Sequence, residues 1–242
     1  MKKIKGDKMV IFLKKRNIIL SMLALVFSLV LAVSLFPKAS PAAAKKAKTI
    51  VIDAGHGMPD GGAVGASGAL ESPLNLDVAM HLAQCLKKDG HKIIMTRKDE
   101  NGIFDEGAAS TREKKVSDMH AREKIMNESG ADLFLSIHMN KFEIAKYSGP
   151  QVFYAPQFEE GKALAEAIQK SLIADLKPEK EREAKMSDGN IYLLKKAQIP
   201  AILIECGFLS NPDEEKLLLN ESYRKKLAES IAKAVNEHFK NP

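Results

Sequence analysis

The 242-residue sequence is poor in cysteine, and it contains no internal repeat that would indicate an array of small units. Its only cysteines are Cys85 and Cys206, too few for a disulfide-dense scaffold. An exported protein could pair these two. Cys85 falls on a predicted helix and Cys206 on a predicted strand, both in apolar surroundings, so we expect two buried thiols.

The sequence also has no excess of positive charge outside its N-terminal part. The formal net charge is +6, and residues 1–16 alone carry seven basic side chains and one acidic one. Residues 49–242 hold 26 basic and 30 acidic side chains. The high isoelectric point therefore does not indicate a nucleic-acid ligand, and we expect none. Basic residues ahead of an apolar segment indicate that the chain starts in the cytoplasm and continues outside it.

The N-terminal part has the order of an export leader. After the basic residues come the uncharged run 18–36 and a stretch of small residues ending at Ala44. A helix of that length would span about 28 Å, close to a bilayer core, which favours a permanent membrane anchor. Ala42-Ala43-Ala44 is also an acceptable cleavage end, so anchored and secreted forms stay open. We divide the chain into 1–48, a cytoplasmic segment, anchor and linker, and 49–242, the folded body.

The body alternates between strand and helix patterns. Strands are predicted over 49–54, 92–96, 133–138, 151–154 and 201–206, with a further short strand at 191–194. Helices are predicted over 73–89, 110–130, 160–176 and 222–240, with another starting at 211–212 and a loop over 178–190. This order predicts a single α/β domain: a three-layer sandwich with a mostly parallel, twisted sheet of about six strands and helices on both faces.

Three polar side chains stand where an apolar run breaks into glycine or asparagine. They are His56 after the first predicted strand, His138 after Ile137, and Glu205 after Ile204. Because open α/β sheets place their sites at such strand ends, we expect these side chains at one rim of the sheet. Two histidines and one carboxylate form a catalytic zinc set, and a further glutamate could act as its general base.

Each of these residues also has a structural interpretation. His56 and His138 could be turn or core histidines, and Glu205 could belong to a salt bridge. Glu205 is the most informative, because a carboxylate that extends an apolar run is costly unless it is paired or lies near a cation. The carboxylate ligand stays open on the residue pattern. The candidates are Glu71, Asp53, Asp60 and Asp77.

Several motifs, in order, resemble one family over residues 49–240. They are the segment 51–57 with His56, the turn Asp60-Gly61-Gly62, Glu71 before a helix, Thr96-Arg97, the segment 136–140 with His138, and the segment 204–211 with Glu205. This pattern is similar to the zinc-dependent N-acetylmuramoyl-L-alanine amidases. Met58, where members often have glycine, and Ser72-Pro73 depart from it, which affects the expected loop shape there.

The resemblance implies roles for six residues. His56, Glu71 and His138 would bind one zinc ion, and Glu205 would be the catalytic acid and base. Asn140 and Arg97 match recurring positions and would bind substrate or support the ligands. The body, 49–242, would then be the zinc amidase catalytic domain, acting outside the cytoplasm.

The resemblance further implies hydrolysis of the amide between the lactyl group of N-acetylmuramic acid and L-alanine of the peptidoglycan stem peptide. The short chain, the N-terminal leader and the lack of appended wall-binding repeats are most similar to sporulation and germination amidases, which prepare spore cortex for muramic-δ-lactam formation. Three alternatives remain: another zinc hydrolase of peptidoglycan, such as a peptidase or deacetylase, a vegetative wall autolysin, and a non-catalytic wall-binding protein. An intact Glu205 argues against the last. Whether an accessory activator protein is needed stays open.

Overall fold

The computed structural model describes residues 47–240, together with Met9, Leu20, 22–23 and 25–28. The chain divides into two units, residues 1–44 and residues 45–242. In the first unit, the few described positions are helical and exposed. The predicted basic segment, the cleavage region and most of the predicted anchor at 18–36 lie outside the described residues. Within the described part of the chain, no helix is both long enough and apolar enough to cross a membrane.

The second unit contains six strands and six helices between residues 47 and 240. The strands are β1 (Thr49–Ala54), β2 (Lys92–Met95), β3 (Leu133–Asn140), β4 (Gln151–Tyr154), β5 (Lys185–Met186) and β6 (Ala201–Phe208). The helices are α1 (Glu71–Lys88), α2 (Thr111–Glu128), α3 (Glu159–Leu176), α4 (Tyr192–Lys196), α5 (Pro212–Leu219) and α6 (Glu221–Lys240).

All six strands form one sheet in the order β2-β1-β3-β6-β4-β5. The first four strands in this order, β2, β1, β3 and β6, run parallel to one another. Strand β4 is antiparallel to β6, and β5 is parallel to β4. The prediction of a mostly parallel six-stranded sheet is confirmed. The central strands β1, β3 and β6 are almost wholly buried, as their unbroken apolar sequences predict for a sheet covered on both faces.

Helices cover both faces of the sheet, as predicted. Ile50 and Ile52 of β1 pack in a core with side chains of α1, α3 and α6. Val51, between them, points to the opposite face and packs with Met126 of α2 and Leu194 of α4. This alternation is the period of two that a strand imposes on its side chains. The layers leave the C-terminal ends of β1, β3 and β6 free to carry the polar residues identified above.

Side chains cap the starts of two helices. The Ser110 hydroxyl accepts a hydrogen bond from the Glu113 amide, and the Glu113 carboxylate accepts one from the Ser110 amide, which completes a capping box. Asn211 caps α5, with Pro212 at its first position.

Three local predictions are wrong. The predicted strand at 191–194 is the start of helix α4, since the adjacent Leu193 and Leu194 are both buried against one face of the sheet. The predicted loop at 178–190 contains the two-residue strand β5. The apolar residues of α2 also predict an inner face that includes Val116, but this residue is 49% exposed, because the buried side of the helix carries Arg122 and Met126.

Candidate metal centre

The sheet brings three of the predicted site residues to one edge. In the register of the parallel strands, Ala54 pairs with Ile137, and His138 pairs with Glu205. His56 follows β1 by two residues and has a φ of 60°, a left-handed conformation that few residues other than glycine adopt. The chain therefore turns sharply at His56, immediately above the ends of β3 and β6.

Glu71, the first residue of α1, lies between the two imidazoles. Its Oε2 is 3.2 Å from Nε2 of His56, and its Oε1 is 2.9 Å from Nδ1 of His138. The amides of Ala63 and Met139 donate to the same carboxylate at 2.8 and 3.1 Å. Both carboxylate oxygens are thus held by the backbone while they face the histidines.

His56, Glu71 and His138 form a group that could hold a metal ion. Each offers one ligand atom, and these atoms lie within 4.8 Å of one another. The imidazole rings meet edge to face, with centroids 5.0 Å apart and planes inclined by 75°. Two imidazole nitrogens and a carboxylate oxygen are the donors of many catalytic zinc sites.

The other carboxylates considered for this place have different partners. Asp53 is fully buried and binds Arg122, Thr96 and Ser136. Asp77 of α1 pairs with Arg224 of α6. Asp60 is close to the centre, but its carboxylate contacts Nδ1 of His56, whereas Nε2 of the same ring faces Glu71.

The charges of the centre are strongly coupled. Burial lowers the pKa of His56, but hydrogen bonds and charge from Glu71 and Asp60 outweigh this and raise the pKa to about 9. Burial acts to raise the pKa of Glu71, but hydrogen bonds from His138 and His56 hold it well below its ordinary value. Without a metal, protonated His56 supplies the positive charge that the Glu71 carboxylate requires. A bound cation would take over that role and displace the proton.

Glu205 lies beside this group and differs from Glu71 in its hydrogen bonding. Its Oε2 is buried and has no hydrogen-bond partner among the described residues. Burial raises the pKa of Glu205 to about 7, helped by the negative charge of Glu71 and opposed by His138 and His56. A carboxyl group that changes protonation near neutral pH is suited to general acid and base chemistry.

Two glycines allow the ligands to approach one another. A Cβ added to Gly55 would lie 2.3 Å from the ring of His138. Gly62 has a φ of 71°, and a Cβ there would lie 2.6 Å from Oε2 of Glu71. Side chains at either position would push the ligands apart, so the glycine-rich turns around His56 serve close packing of the centre as well as chain reversal.

Arg97 and Asn140, which the resemblance placed at the site, have different surroundings. Arg97 is buried, and its guanidinium donates to the carbonyls of Ala54, Gly55, Ser72 and Asp99. It therefore ties the turn before His56 to the start of α1. The side chain of Asn140 is partly exposed at the end of β3, where the pairing with β6 is irregular.

Arg122 on α2 is a residue of the site that the sequence reasoning missed. Its fully buried guanidinium binds Asp53 and donates to the carbonyls of Ala54 and His56. Asp118, one helical turn away, accepts from its Nε. The available signal was Asp53 itself, since a carboxylate inside a buried strand requires a cationic or hydrogen-bonding partner.

Asn75 was also missed. Its amide donates to Glu71 at 3.0 Å and to the carbonyl of Gly55 at 3.2 Å. It is one helical turn from Glu71, so a polar residue at that spacing on an otherwise apolar face was the available signal. Cys85 and Cys206 are both free thiols, Cys206 buried and Cys85 partly exposed.

Several known proteins are similar to this chain in sequence and fold. The model of the family N-acetylmuramoyl-L-alanine amidase matches residues 50–237. The germination-specific N-acetylmuramoyl-L-alanine amidase of Bacillus subtilis is 40% identical over 192 residues, which cover 79% of this chain and 80% of that protein. The CwlD amidase from Clostridioides difficile, solved in complex with the GerS lipoprotein, is 39% identical with a TM-score of 0.76, covering 79% of this chain and 98% of that one. An N-acetylmuramoyl-L-alanine amidase from Clostridium difficile 630 is 31% identical with a TM-score of 0.70, covering 81% of this chain and 98% of that one.

Proposed function

The chain belongs to the N-acetylmuramoyl-L-alanine amidase family, and we propose that it performs this hydrolysis with one zinc ion held by His56, Glu71 and His138 and with Glu205 as the catalytic acid and base. The family reaction cleaves the amide between the lactyl group of N-acetylmuramic acid and L-alanine of the stem peptide. Its substrate, peptidoglycan, lies outside the cytoplasmic membrane, so this amidase acts outside the cytoplasm.

One observation carries the assignment of the residues. The Glu71 carboxylate lies between two imidazoles, 2.9 Å from His138 and 3.2 Å from His56. Glu205 pairs with His138 in the sheet register, and its buried Oε2 has no hydrogen-bond partner among the described residues. An ion pair between Glu71 and the histidines would not explain why a second carboxylate beside it keeps one oxygen buried and unpaired. A cation at the centre accounts for both carboxylates.

The donor set fits zinc, which binds imidazole nitrogen and carboxylate oxygen in catalytic sites with three protein ligands. When bound, zinc supplies a Lewis acid that polarises the scissile carbonyl. Glu205 then accepts the proton of the attacking water and passes it to the leaving amine of L-alanine. Asp60 orients the His56 ring, and the Ala63 and Met139 amides fix Glu71. These groups are in place before substrate arrives, which supplies positioning.

We extend the proposal to spore cortex as the natural substrate. The B. subtilis relative, named germination-specific, aligns over 80% of its own length. Such an enzyme would remove stem peptides so that a separate deacetylase could complete muramic-δ-lactam formation. Retention of the apolar segment 18–36 as an anchor, or its cleavage near Ala44, would place the body at the outer face of a membrane or in the wall.

We also propose that an accessory lipoprotein assists this amidase. The support is the C. difficile relative, whose structure contains the GerS lipoprotein and which aligns over 98% of its length with this chain at 39% identity. Copurification from sporulating cells tests this point. Recovery of an amidase that is fully active without any associated protein would contradict it.

The test of the whole proposal combines metal analysis with product analysis. We expect about one zinc per chain, and release of intact stem peptides with a free L-alanine amine from purified cortex, detected by mass spectrometry. Cleavage inside the peptide or loss of acetate would indicate a different zinc hydrolase. Faster digestion of vegetative wall than of cortex would contradict the cortex assignment. A metal-free protein whose activity is indifferent to chelators would overturn the metal site.

A further inference from the structure

A cavity beside the metal centre has a distinctive lining. It has a volume of about 210 Å³ and is bordered on one side by His56 and His138. The rest of its surface is mostly apolar and comes from the end of β1 and the turn that follows it, from the loop before α2, and from α2, α4 and β6. The apolar lining residues are Pro59, Phe104, Met119, Ile191, Tyr192, Leu193 and Leu203.

The charged groups on the cavity wall are paired, with one exception. Lys115 lies 3.0 Å from the Asp60 carboxylate. Asp118 receives both the amide of Ile103 and the guanidinium of Arg122, and Arg122 also binds the buried Asp53.

Lys114 is the exception. It lines the cavity, and its Nζ lies 5.1 Å from the centroid of the Phe104 ring. Among the described residues, no carboxylate lies within ion-pair distance of this ammonium group. An apolar cavity with a single uncompensated cation is complementary to a ligand that combines apolar groups with one negative charge.

We propose that this cavity receives the first two residues of the stem peptide and that Lys114 binds the free carboxylate of the second residue. The proposal rests on the proposed function, because the cavity opens at the ligands of the metal centre. Because the charged groups of the wall other than Lys114 are already paired, most hydroxyl groups of a glycan would lie against apolar surface without hydrogen-bond partners, which is unfavourable. A small L-alanine side chain followed by an acidic residue matches both the volume and the charge. Lys114 is therefore a determinant of specificity on the leaving-amine side.

The test uses two synthetic glycan peptides that differ in one group. Both carry L-alanine followed by a γ-linked D-glutamate, whose α-carboxyl is free in one and converted to an amide in the other. For Lys114→Met we expect kcat/KM to fall roughly tenfold on the free acid, mainly through KM, since a hydrogen bond to a charged group contributes on that scale. On the amide, the loss should stay below roughly twofold. Lys114→Arg should restore the preference for the acid.

Two further variants serve as controls. Lys124→Met removes an exposed lysine of the same helix outside the cavity and should change neither substrate. Lys115→Met removes the partner of Asp60 and should affect both substrates alike. Zinc content and melting temperature of each variant establish that the centre is intact.

The outcomes separate the two proposals. If Lys114→Met lowers the rate equally on both substrates, or on neither, the cavity assignment is wrong while the amidase proposal stands. If the unaltered protein hydrolyses neither substrate nor cortex, the proposed function fails and the cavity assignment fails with it.

Discussion

The carboxylate of Asp60 lies 3.0 Å from Nδ1 of His56, on the opposite side of the ring from Glu71. Burial acts to raise the pKa of Asp60, but hydrogen bonds from His56 and Lys115 hold it below its usual value. Asp60 is therefore ionised and only accepts, so Nδ1 of His56 carries the proton and Nε2 is directed to the metal centre. Carboxylates in this position orient metal-binding histidines and increase their basicity.

Replacement of Asp60 is therefore expected to weaken metal binding. We predict a loss of about 10- to 100-fold in zinc affinity for Asp60→Ala and a smaller loss for Asp60→Asn, whose amide oxygen still accepts from Nδ1. Competition titration with a chromogenic chelator measures both. Asp188→Asn is the matched control, since Asp188 is exposed and accepts hydrogen bonds from Asn190 in its own loop. Unchanged affinity in Asp60→Ala would show that the ring is oriented by other contacts.

The stability of the metal-free protein should depend on pH through His56. Its pKa is about 9 in the folded protein and 6.5 ordinarily, so the protonated form is favoured by folding. The stabilisation from this group is fully present below pH 6.5 and is lost as the pH rises through about 9. Urea unfolding of chelator-treated protein should show this decline, and His56→Gln should lack it. Parallel pH curves for the two proteins would contradict the coupling of His56 to Glu71.

Metal binding should have the opposite pH dependence. A cation on Nε2 must displace the proton of His56, so zinc affinity should rise between pH 6.5 and about 9. Calorimetric titrations in buffers of different ionisation enthalpy should report about one proton released at neutral pH. Release of no proton would mean that His56 is already neutral before the metal binds.

The sequence predicted the part of the site that depends on strand ends. His56, His138 and Glu205 follow apolar runs. Parallel strands bring the residues at their C-terminal ends to one edge of the sheet, whatever the conformation of the connecting loops. Glu71 could not be chosen from its pattern, because its place between the imidazoles depends on how the turn at 57–70 sets the start of α1. The family resemblance selected it.

The position of Arg122 and the helical turn at 191–194 were also not predicted, because both depend on packing against other elements. Arg122 lies on a helix whose average composition is polar, and only its partner Asp53 indicates that this position turns inward. The segment 191–194 was predicted as a strand because a short apolar run has no periodicity of its own. Its helical turn is decided by packing of Leu193 and Leu194 against the sheet.

Gly55→Ala tests the close approach of β1 to the centre. The added Cβ would lie 2.3 Å from the His138 ring, so the ring or the turn must move. We expect weaker zinc binding and a loss of about 1–3 kcal/mol in the free energy of unfolding. Gly107→Ala, where a Cβ meets nothing within 4 Å, is the control. Retention of full zinc affinity in Gly55→Ala would mean that the ring position is not critical.

Arg122→Met tests the buried pair beneath His56. Removing the guanidinium leaves Asp53 buried without its cation and should cost about 3–5 kcal/mol of unfolding free energy. The double variant Arg122→Met with Asp53→Asn should cost less than the sum of the two single changes, because it removes the uncompensated charge. Urea denaturation of all three variants measures this coupling. Additive losses would show that the two residues act independently.

The central claim is that Glu205 transfers the proton at a zinc site formed by His56, Glu71 and His138, and Glu205→Gln tests it most directly. The substitution keeps the size of the side chain and leaves the three ligands untouched. The measurement is the rate of stem-peptide release from cortex, normalised to the zinc bound per chain. We predict full zinc content and a rate lower by about two to four orders of magnitude. A Glu205→Gln protein that carries zinc and turns over at the rate of the unaltered protein would contradict the assignment of Glu205 as the proton-transferring group.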